Sequence, residues 1–503
     1  MTPAADVDTV IVGAGSAGGV LAARLSQQPD RSVLLLEAGP DFGPEGGQQP
    51  HEVSDAADVG PTRYDWGHVA GLGELQRRSP VFAGRLVGGS SATNNVMALR
   101  GQPDDYDAWA TAGNAGWSYD QMLEAFVRVE NDGDFGDQNG HGASGPVSIR
   151  RYTRCELPSH QRTFLDSCAA AGNPVIADHN ARAAVGAGPL PLNAVAGVRQ
   201  STALTYLAAA RERSNLTVWP HATADRVLLA DGRATGVQLA DGQHVAARQV
   251  LLAAGAYGSP ALLLRSGIGP AAHLRQLGIP IWRDVPGVGA NLHDHPLLRL
   301  HFSAHGQPQS LPCQTLLTTR SDPSLTRPDL QIFPSAIAAG ETGPEMSLLV
   351  ALLQPRSRGR VLLTSPNPTV APDIDVGLLT HPEDLPRLRA GLRRARQLAG
   401  TSPFAEQLVS EMWPGHELST DQALDQAIRA QLNVYQHPVG TCRMGPATDP
   451  TAVVDPLGWV HGVDGLAVID ASIMPTIPTA NTNLPTLALA DHCAHHLETT
   501  PPH

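Results

Sequence analysis

The sequence predicts two architectures in one chain: an α/β unit on a parallel sheet, and an α+β unit on an antiparallel sheet flanked by helices. Three observations carry that prediction. Near the N-terminus an apolar run, a glycine-rich turn and an apolar helical stretch follow without a break, "DTVIVGAGSAGGVLAARLS". Between 216 and 269, short strands joined by two Asp-Gly turns lead back into an apolar run. Between 297 and 378, five short apolar or alternating runs are punctuated by Pro, Gly and Asn, and two amphipathic helical stretches follow.

The first strand is expected from about Asp8 to Val12, with Val20, Leu21 and Leu25 apolar in the helix after it. Gly13, Gly15 and Gly18 stand between them in the GxGxxG spacing. The first permits the tight turn, the second lets backbone approach a pyrophosphate, and the third lets helix pack closely on strand. "RSVLLLEAG" is a second strand ending at Glu37, 19 residues after Gly18. A carboxylate there suits the two hydroxyls of an adenosine ribose and repels a 2'-phosphate, so the unit reads as Rossmann-like, with FAD and NAD as candidate ligands. "GRLVGGSSATNNVMALRG", residues 84 to 101, separates the two, because its small residues let backbone approach a flat ring and a nicotinamide fold needs no such second loop.

The turns "ADGR" and "ADGQ" predict a β-meander inserted into the parallel sheet, closed by the apolar strand Val250 to Ala254. "LLRLHFSA", "PDLQIFPSA", "MSLLVALLQP", "GRVLLTS" and "PDIDVGLL" are the strands expected for the antiparallel sheet. "PEDLPRLRAGLRRARQLAG" reads as an amphipathic helix with a solvated arginine face, and "STDQALDQAIRAQL" as another opening on a Ser/Thr/Asp cap. "GLAVIDAS" is an apolar strand ending at Asp470. "LPTLALADHCAHHLE" is a last helix with Pro485 at its first position, followed by a frayed tail.

Composition narrows the function. At 503 residues the chain exceeds one compact core, and 42% hydrophobic against 17% charged residues supports an ordered globular protein. A formal charge of -13 with no basic run excludes a phosphate-tracking surface, so nucleic acid is not an expected partner. All 35 basic residues are arginine. Without lysine there is neither a pyridoxal-phosphate Schiff base nor a P-loop. Five widely spaced cysteines with no CxxC pair read as thiols of a reducing compartment. With no basic leader and no apolar run approaching 18 residues, no integral membrane segment is expected and a cytoplasmic location is. No metal is expected, because His293 and His295 of "HDH" lack a third spaced ligand.

Together these segments resemble the glucose-methanol-choline (GMC) oxidoreductases, a family of FAD enzymes. "GRLVGGSSATN" resembles the family's first signature, "GAYGSPALLLRSGIG" its second and "VGANLHDHP" the block after it. "HPVGTCRMG" and "DASIMPTIPTANTNLPTLALAD" are similar to its C-terminal blocks. The likeness runs from 8 to 495, weak only between about 300 and 430, and the tail is most similar to bacterial choline-dehydrogenase-like and 5-(hydroxymethyl)furfural-oxidase-like members. It implies an FAD-binding domain over 1–296, parts of which join the other unit, a substrate-binding domain over 297–436, and a return to the FAD domain over 437–503. Cofactor contacts are implied for Gly13, Gly15, Ser16, Ala17 and Gly18, and for Glu37 and Ala38. The first signature adds Arg85, Val87, Gly88, Gly89, Ser91, Asn94 and Asn95. Ala254, Gly255, Asp470, Ala471 and Asn483 complete the set.

The resemblance makes His437 the catalytic histidine and Asn481, the first Asn of "ANTN", its partner. Oxidising an alcohol removes a proton from oxygen and a hydride from a carbon held near flavin N5. A neutral imidazole takes such a proton, and an amide orients the hydroxyl without competing for it. Phe333, Trp413, Tyr435 and Gln436 are the expected substrate-side residues, and they favour primary or benzylic-type alcohols over sugars. Some relatives bind FAD covalently through a histidine one residue before the signature asparagine. Thr93 stands there, so dissociable FAD is expected, and Gln436 replaces a residue that is often aromatic. The acceptor is oxygen or a quinone or other carrier, with a lean toward dehydrogenase or mixed behaviour. The scaffold also serves hydroxynitrile lyases and photodecarboxylases, so a non-redox or light-driven use of the His–Asn pair stays open.

Overall fold

A computed structural model of the chain describes residues 7–44, 49–309, 313–341 and 343–499. The strands Leu216–Trp219, Val33–Leu36, Val7–Val12, His244–Leu252 and Leu466–Val468 run parallel in that spatial order, with Val10 opposite Leu34 on one side and Val250 on the other. Val10, Ile11, Leu35 and Leu251 are fully buried. A parallel sheet is covered on both faces, which is why these strands are continuously apolar and not alternating.

The strand His244–Leu252 belongs to two ladders. Its first half pairs antiparallel with Arg233–Leu239, which pairs in turn with Ala224–Ala230, while the rest runs parallel to Val7–Val12. Burial changes with the pairing, alternating up to Arg248 and continuous from Gln249. Asp231 and Gly232, at φ +48° and +84°, make the turn between the antiparallel pair, as an Asp-Gly hairpin requires.

The second sheet is antiparallel. Its spatial order is Leu408–Trp413, Pro296–Ala304, Pro344–Leu352, Leu330–Pro334, Thr315–Thr319, Gly186–Pro189, with Ala338–Ala339 and Asn433–Val434 as short additions. The helix Asp384–Ala399 covers its back through Leu388, Leu392 and Ala395. At Gly391 a Cβ would stand 2.7 Å from Val350 Cγ1, so glycine sets how closely helix meets sheet.

Several expectations need correction. Two of the five predicted strands leave this sheet: Arg360–Leu362 and Asp373–Asp375 join His68–Gly71 and Arg78–Val81 in a four-stranded sheet. Each is only three residues long, so its partner is set by a distant edge and not by its own pattern. Conversely Gly186–Pro189 enters the antiparallel sheet from the N-terminal half. A Cβ at Gly188 would lie 2.3 Å from Ile176 O, so the residue serves close approach and carries no strand pattern. The arginine face of Asp384–Ala399 is partly ion-paired, Arg389 to Asp425 and Arg396 to Glu411, each at 2.7 Å. In the following helix, Asp421–Gln431, Thr420 Oγ1 accepts from the Ala423 N–H at 3.2 Å, a cap worth about 1 kcal/mol.

The last helix, Asn483–Thr499, starts two residues earlier than predicted. Pro485 still sits in the first turn, where its missing N–H costs no helix bond. This helix lies beside the first, Ser16–Leu25: Ser16 Oγ donates to Asn483 Oδ1 at 2.8 Å, and Arg24 faces Asp491 and Glu498 at 3.6 and 3.3 Å. The predicted frayed tail, residues 500–503, lies outside the described residues. All five cysteines are free, and no helix among the described residues is long and apolar enough to cross a membrane.

Candidate active site

A cavity of about 1360 Å³ extends from the glycine turn of the parallel sheet to the inner face of the antiparallel sheet. At its first end the three glycines differ in why they are glycine. At Gly13, φ is +101° and a Cβ would meet Ala253 O at 2.6 Å; at Gly18 a Cβ would meet Gly13 O at 1.8 Å. Both serve the protein's own packing. Gly15 has Gly89 Cα as its nearest neighbour, at 3.8 Å, and it lines the cavity, so a side chain there would take up space that a ligand needs. Glu37 accepts the Ala14 and Gly39 N–H groups at 3.0 and 2.9 Å, and burial pushes its carboxyl up to about 7. Asp470 accepts from Gly255 and Ser472 N–H, both at 2.8 Å, and so ties the second signature's turn to the segment that follows the strand Leu466–Val468. A cradle that a Cβ would fill, a carboxylate at the second strand's end and two adjacent helix N-termini together fit a dinucleotide such as FAD.

Of the residues named for the cofactor, Gly13, Gly15, Ser16, Ala17, Glu37, Ala38, Gly89, Asn94, Asn95, Ala254, Gly255, Asp470, Ala471 and Asn483 line the cavity. Gly18, Arg85, Val87, Gly88 and Ser91 do not. Gly18 lies under the helix, and Arg85 stacks its guanidinium over the Trp66 ring at 5.3 Å. Val87 is buried beneath the loop. Gly88 N–H donates to Ala14 O at 2.8 Å and Ser91 Oγ to Gly88 O at 2.5 Å, which lays the signature loop on the glycine turn.

At the other end two distant segments pair. His293 and Val439 exchange backbone hydrogen bonds at 3.0 Å, and Tyr435 N–H donates to His295 O at 2.8 Å. Gly440, at φ +92°, lies so close to Asn291 O that a Cβ would stand 2.6 Å from it. This pairing sets His295 Nδ1 3.0 Å from His437 Nδ1. Asp294 Oδ1 holds the His437 backbone N–H at 2.9 Å.

The far nitrogen of His437, Nε2, lies 3.1 Å from Asn481 Nδ2, which also lies 3.3 Å from Met97 Sδ. A thioether only accepts, so the amide nitrogen must face both groups and donate. His437 Nε2 is therefore the unprotonated nitrogen. The ring's proton sits on Nδ1, donated to His295 Nδ1, which leaves the His295 proton on Nε2. Burial, and then His295 beside it, hold His437 well below the usual imidazole range, so the ring is neutral at neutral pH. Burial pushes Asp294 up to about 7 and His295 down to about 3.

Tyr435 lies against His437, ring centroids 4.2 Å apart, and stacks on Phe333 at 5.8 Å and 21°. Gln436 lines the cavity at φ +69°, but its amide is tied to Phe82 N–H and Pro80 O at 2.9 and 3.3 Å. Trp413 is a correction. It lies opposite His301, five residues along the strand from Pro296, roughly 16 Å from where the histidine segment pairs, against the apolar cluster behind the sheet. Its aromatic character did not encode its depth.

His295, Asp294 and Met97 were not anticipated in these positions. "HDH" was visible in the sequence only as a possible metal pair, and no spacing links 295 to 437; strand pairing alone joins them. His293 faces Asn291 Oδ1 at 3.0 Å and the Ile477 N–H at 3.2 Å, so the two histidines do not converge. Among the described residues, Glu130, Asp132 and His141 cluster at metal-ligand spacing. Guanidinium groups occupy them, Arg100 Nε on Glu130 at 2.6 Å and Arg151 on Asp132 at 2.8 Å.

Comparison with known proteins matches residues 7–297 to the N-terminal and 355–490 to the C-terminal model of the GMC oxidoreductases. A 5-(hydroxymethyl)furfural oxidase from Methylovorus sp. is 38% identical, covering 97% of this chain and 98% of the relative. An oxygen-dependent choline dehydrogenase from Rhizobium etli is 35% identical over 97% and 95% of the two chains. Pyridoxine 4-oxidase from Mesorbium loti superposes with a TM-score of 0.92 at 32% identity, covering 98% of this chain and all of that one. The chain belongs to the GMC oxidoreductase family and is an FAD-dependent oxidoreductase acting on CH–OH donors.

Proposed function

We propose that the protein oxidises a primary alcohol on a planar aromatic or heteroaromatic skeleton to the aldehyde, with His437 as base and Asn481 as the orienting group. The juxtaposition of Asn481 Nδ2, a donor, with His437 Nε2, an acceptor, carries this reading. A hydroxyl entering between them accepts from the amide and gives its proton to Nε2. The imidazolium that forms keeps its Nδ1–H on His295, and burial makes that charge costly, so the proton is held only until it is passed on. FAD, when bound, supplies the acceptor for the hydride leaving the carbinol carbon. The stacked Phe333–Tyr435 pair beside His437 offers a flat apolar wall for a ring.

Relatives named for furan, pyridoxine and choline substrates divide on charge. Glu345, the carboxylate on this side of the cavity, faces His301 at 2.8 Å, so among the described residues no unpaired carboxylate there faces a choline's quaternary ammonium. We take FAD as non-covalent, since the Thr93 hydroxyl offers no imidazole for attachment; yellow colour staying on an acid-precipitated pellet would contradict this. We take oxygen as acceptor because the relatives' names, oxidase and oxygen-dependent dehydrogenase, agree on it. This departs from the lean toward a dehydrogenase.

The test is the visible spectrum of the holoenzyme without oxygen during addition of benzyl alcohol and 5-(hydroxymethyl)furfural, with air admitted afterwards. Bleaching followed by rapid return of colour is expected. A flavin that stays oxidised with every alcohol, while His437→Ala abolishes some other turnover, would move the reading to lyase chemistry.

A further inference from the structure

The sheet's inner face carries a charge that this scheme leaves unused. Along Pro296–Ala304 the side chains alternate: Leu298, Leu300 and Phe302 pack into the core behind the sheet, while Leu297, Arg299 and His301 line the cavity. Leu349 stands opposite Arg299, and Phe333 stands opposite Leu349. His301 is satisfied locally, Nε2 by Glu345 at 2.8 Å and Nδ1 by Ser347 Oγ at 3.1 Å. The Arg299 guanidinium is exposed and makes no hydrogen bond or ion pair with the described residues.

Its charge reaches two buried groups that line the same cavity. Burial pushes the Cys313 thiol up to about 12 and raises the Tyr435 phenol, and in both cases the nearby Arg299 charge works the other way. Tyr435 in turn lies against His437. Pro296 pairs with Val434, and Arg299 follows three residues on, about 10 Å along the strand. Arg299 and the histidine segment thus line the same cavity at different points along this strand, and an aromatic ring with a substituent at each end presents one group to each. An exposed guanidinium on a cavity wall, with no side-chain partner among the described residues, attracts an anion, and its planar fork matches a carboxylate with two parallel hydrogen bonds.

We propose that Arg299 binds a carboxylate on the substrate, so that the preferred substrate is a hydroxymethyl-bearing aromatic carboxylic acid with its two groups at opposite ends of the ring. This rests on the alcohol-oxidation reading for the role of the other end. A cationic alcohol meets like charge at the same place.

Two pairs of near-isosteric compounds test it on the holoenzyme. 4-Methylbenzoate and 4-methylbenzamide have no hydroxyl and report binding alone, through perturbation of the flavin spectrum. 4-(Hydroxymethyl)benzoate and 4-(hydroxymethyl)benzamide report flavin reduction. The wild-type protein should favour each acid over its amide by about 10- to 100-fold, in Kd for the first pair and in kcat/KM for the second. Arg299→Gln should abolish both preferences while changing the amides less than about threefold, and Arg299→Lys should retain part of them. No acid preference in the wild type, or one that survives Arg299→Gln, overturns the proposal while leaving oxidation of the neutral alcohol intact. If the binding preference tracks Arg299 but neither alcohol reduces the flavin, the carboxylate site stands and the oxidation reading falls.

Discussion

Gly15→Ala separates a glycine kept for a ligand from a glycine kept for the fold. At Gly15 φ is -80° and ψ is -156°, a conformation open to alanine, and the new Cβ would have only Gly89 Cα nearby, at 3.8 Å. Restricting the unfolded chain stabilises by about 0.4–1 kcal/mol, while alanine is a poorer N-cap than glycine by a comparable amount. The apoprotein should therefore keep its stability to within about 1 kcal/mol. The methyl does enter the cavity where backbone must approach the pyrophosphate. Losing one charge-assisted contact there costs about 1.5–3 kcal/mol, or roughly 10- to 100-fold in the FAD Kd. Gly18→Ala should behave oppositely. Its Cβ would sit 1.8 Å from the Gly13 carbonyl oxygen, a backbone atom that cannot swing aside, so the apoprotein should lose about 1–3 kcal/mol or more. Chemical unfolding of the apo forms and FAD titration by flavin fluorescence quenching read the two effects separately. The reasoning fails if Gly15→Ala binds FAD as tightly as the wild type, or destabilises the apoprotein as much as Gly18→Ala.

His437→Ala should slow anaerobic flavin reduction by about 10²- to 10⁴-fold with the FAD Kd unchanged, as stopped-flow absorbance would show. Because burial lowers the His437 pKa, its base form persists as pH falls through 6.5, so in Asp294→Asn, which removes the neighbouring carboxyl that burial pushes up to about 7, reduction should stay flat from pH 8 to below 6.5; an acid limb at or above 6.5 in that variant would contradict this. Asn481→Asp places a carboxylate beside Nε2 and favours the imidazolium, so that limb should move up in pH and reduction at pH 7 should fall by about 100-fold or more. His295→Phe keeps the ring but removes the acceptor of the His437 Nδ1–H. The Nε2–H tautomer then competes, and reduction should slow about 10- to 100-fold with a changed pH profile and unchanged FAD binding.

Much of the nucleotide end could be read from residue order. A strand, a turn and a helix are contiguous, and each glycine's role follows from backbone sterics that act over a few residues. Glu37 and Asp470 end apolar strands, so their positions at the sheet's edge follow from the strands themselves. His437 and Asn481 were recognisable because their surrounding motifs resemble a known family. Their contact at 3.1 Å was not recognisable, since 44 residues separate them and nothing local measures that closure.

By itself the sequence determined the parallel sheet and the meander, because local periodicity and turn chemistry specify them, while the cofactor class and the candidate residues His437 and Asn481 came from motifs that resemble a known family. Only the tertiary structure decided which short strands share a sheet. It placed His295 behind His437 and Met97 beneath Asn481, removed Trp413 from the cavity, and left the exposed Arg299 guanidinium on its wall without a partner among the described residues. Those outcomes depend on strand pairing between segments more than 40 residues apart, and the register of such pairs is settled by which side chains pack together on a face.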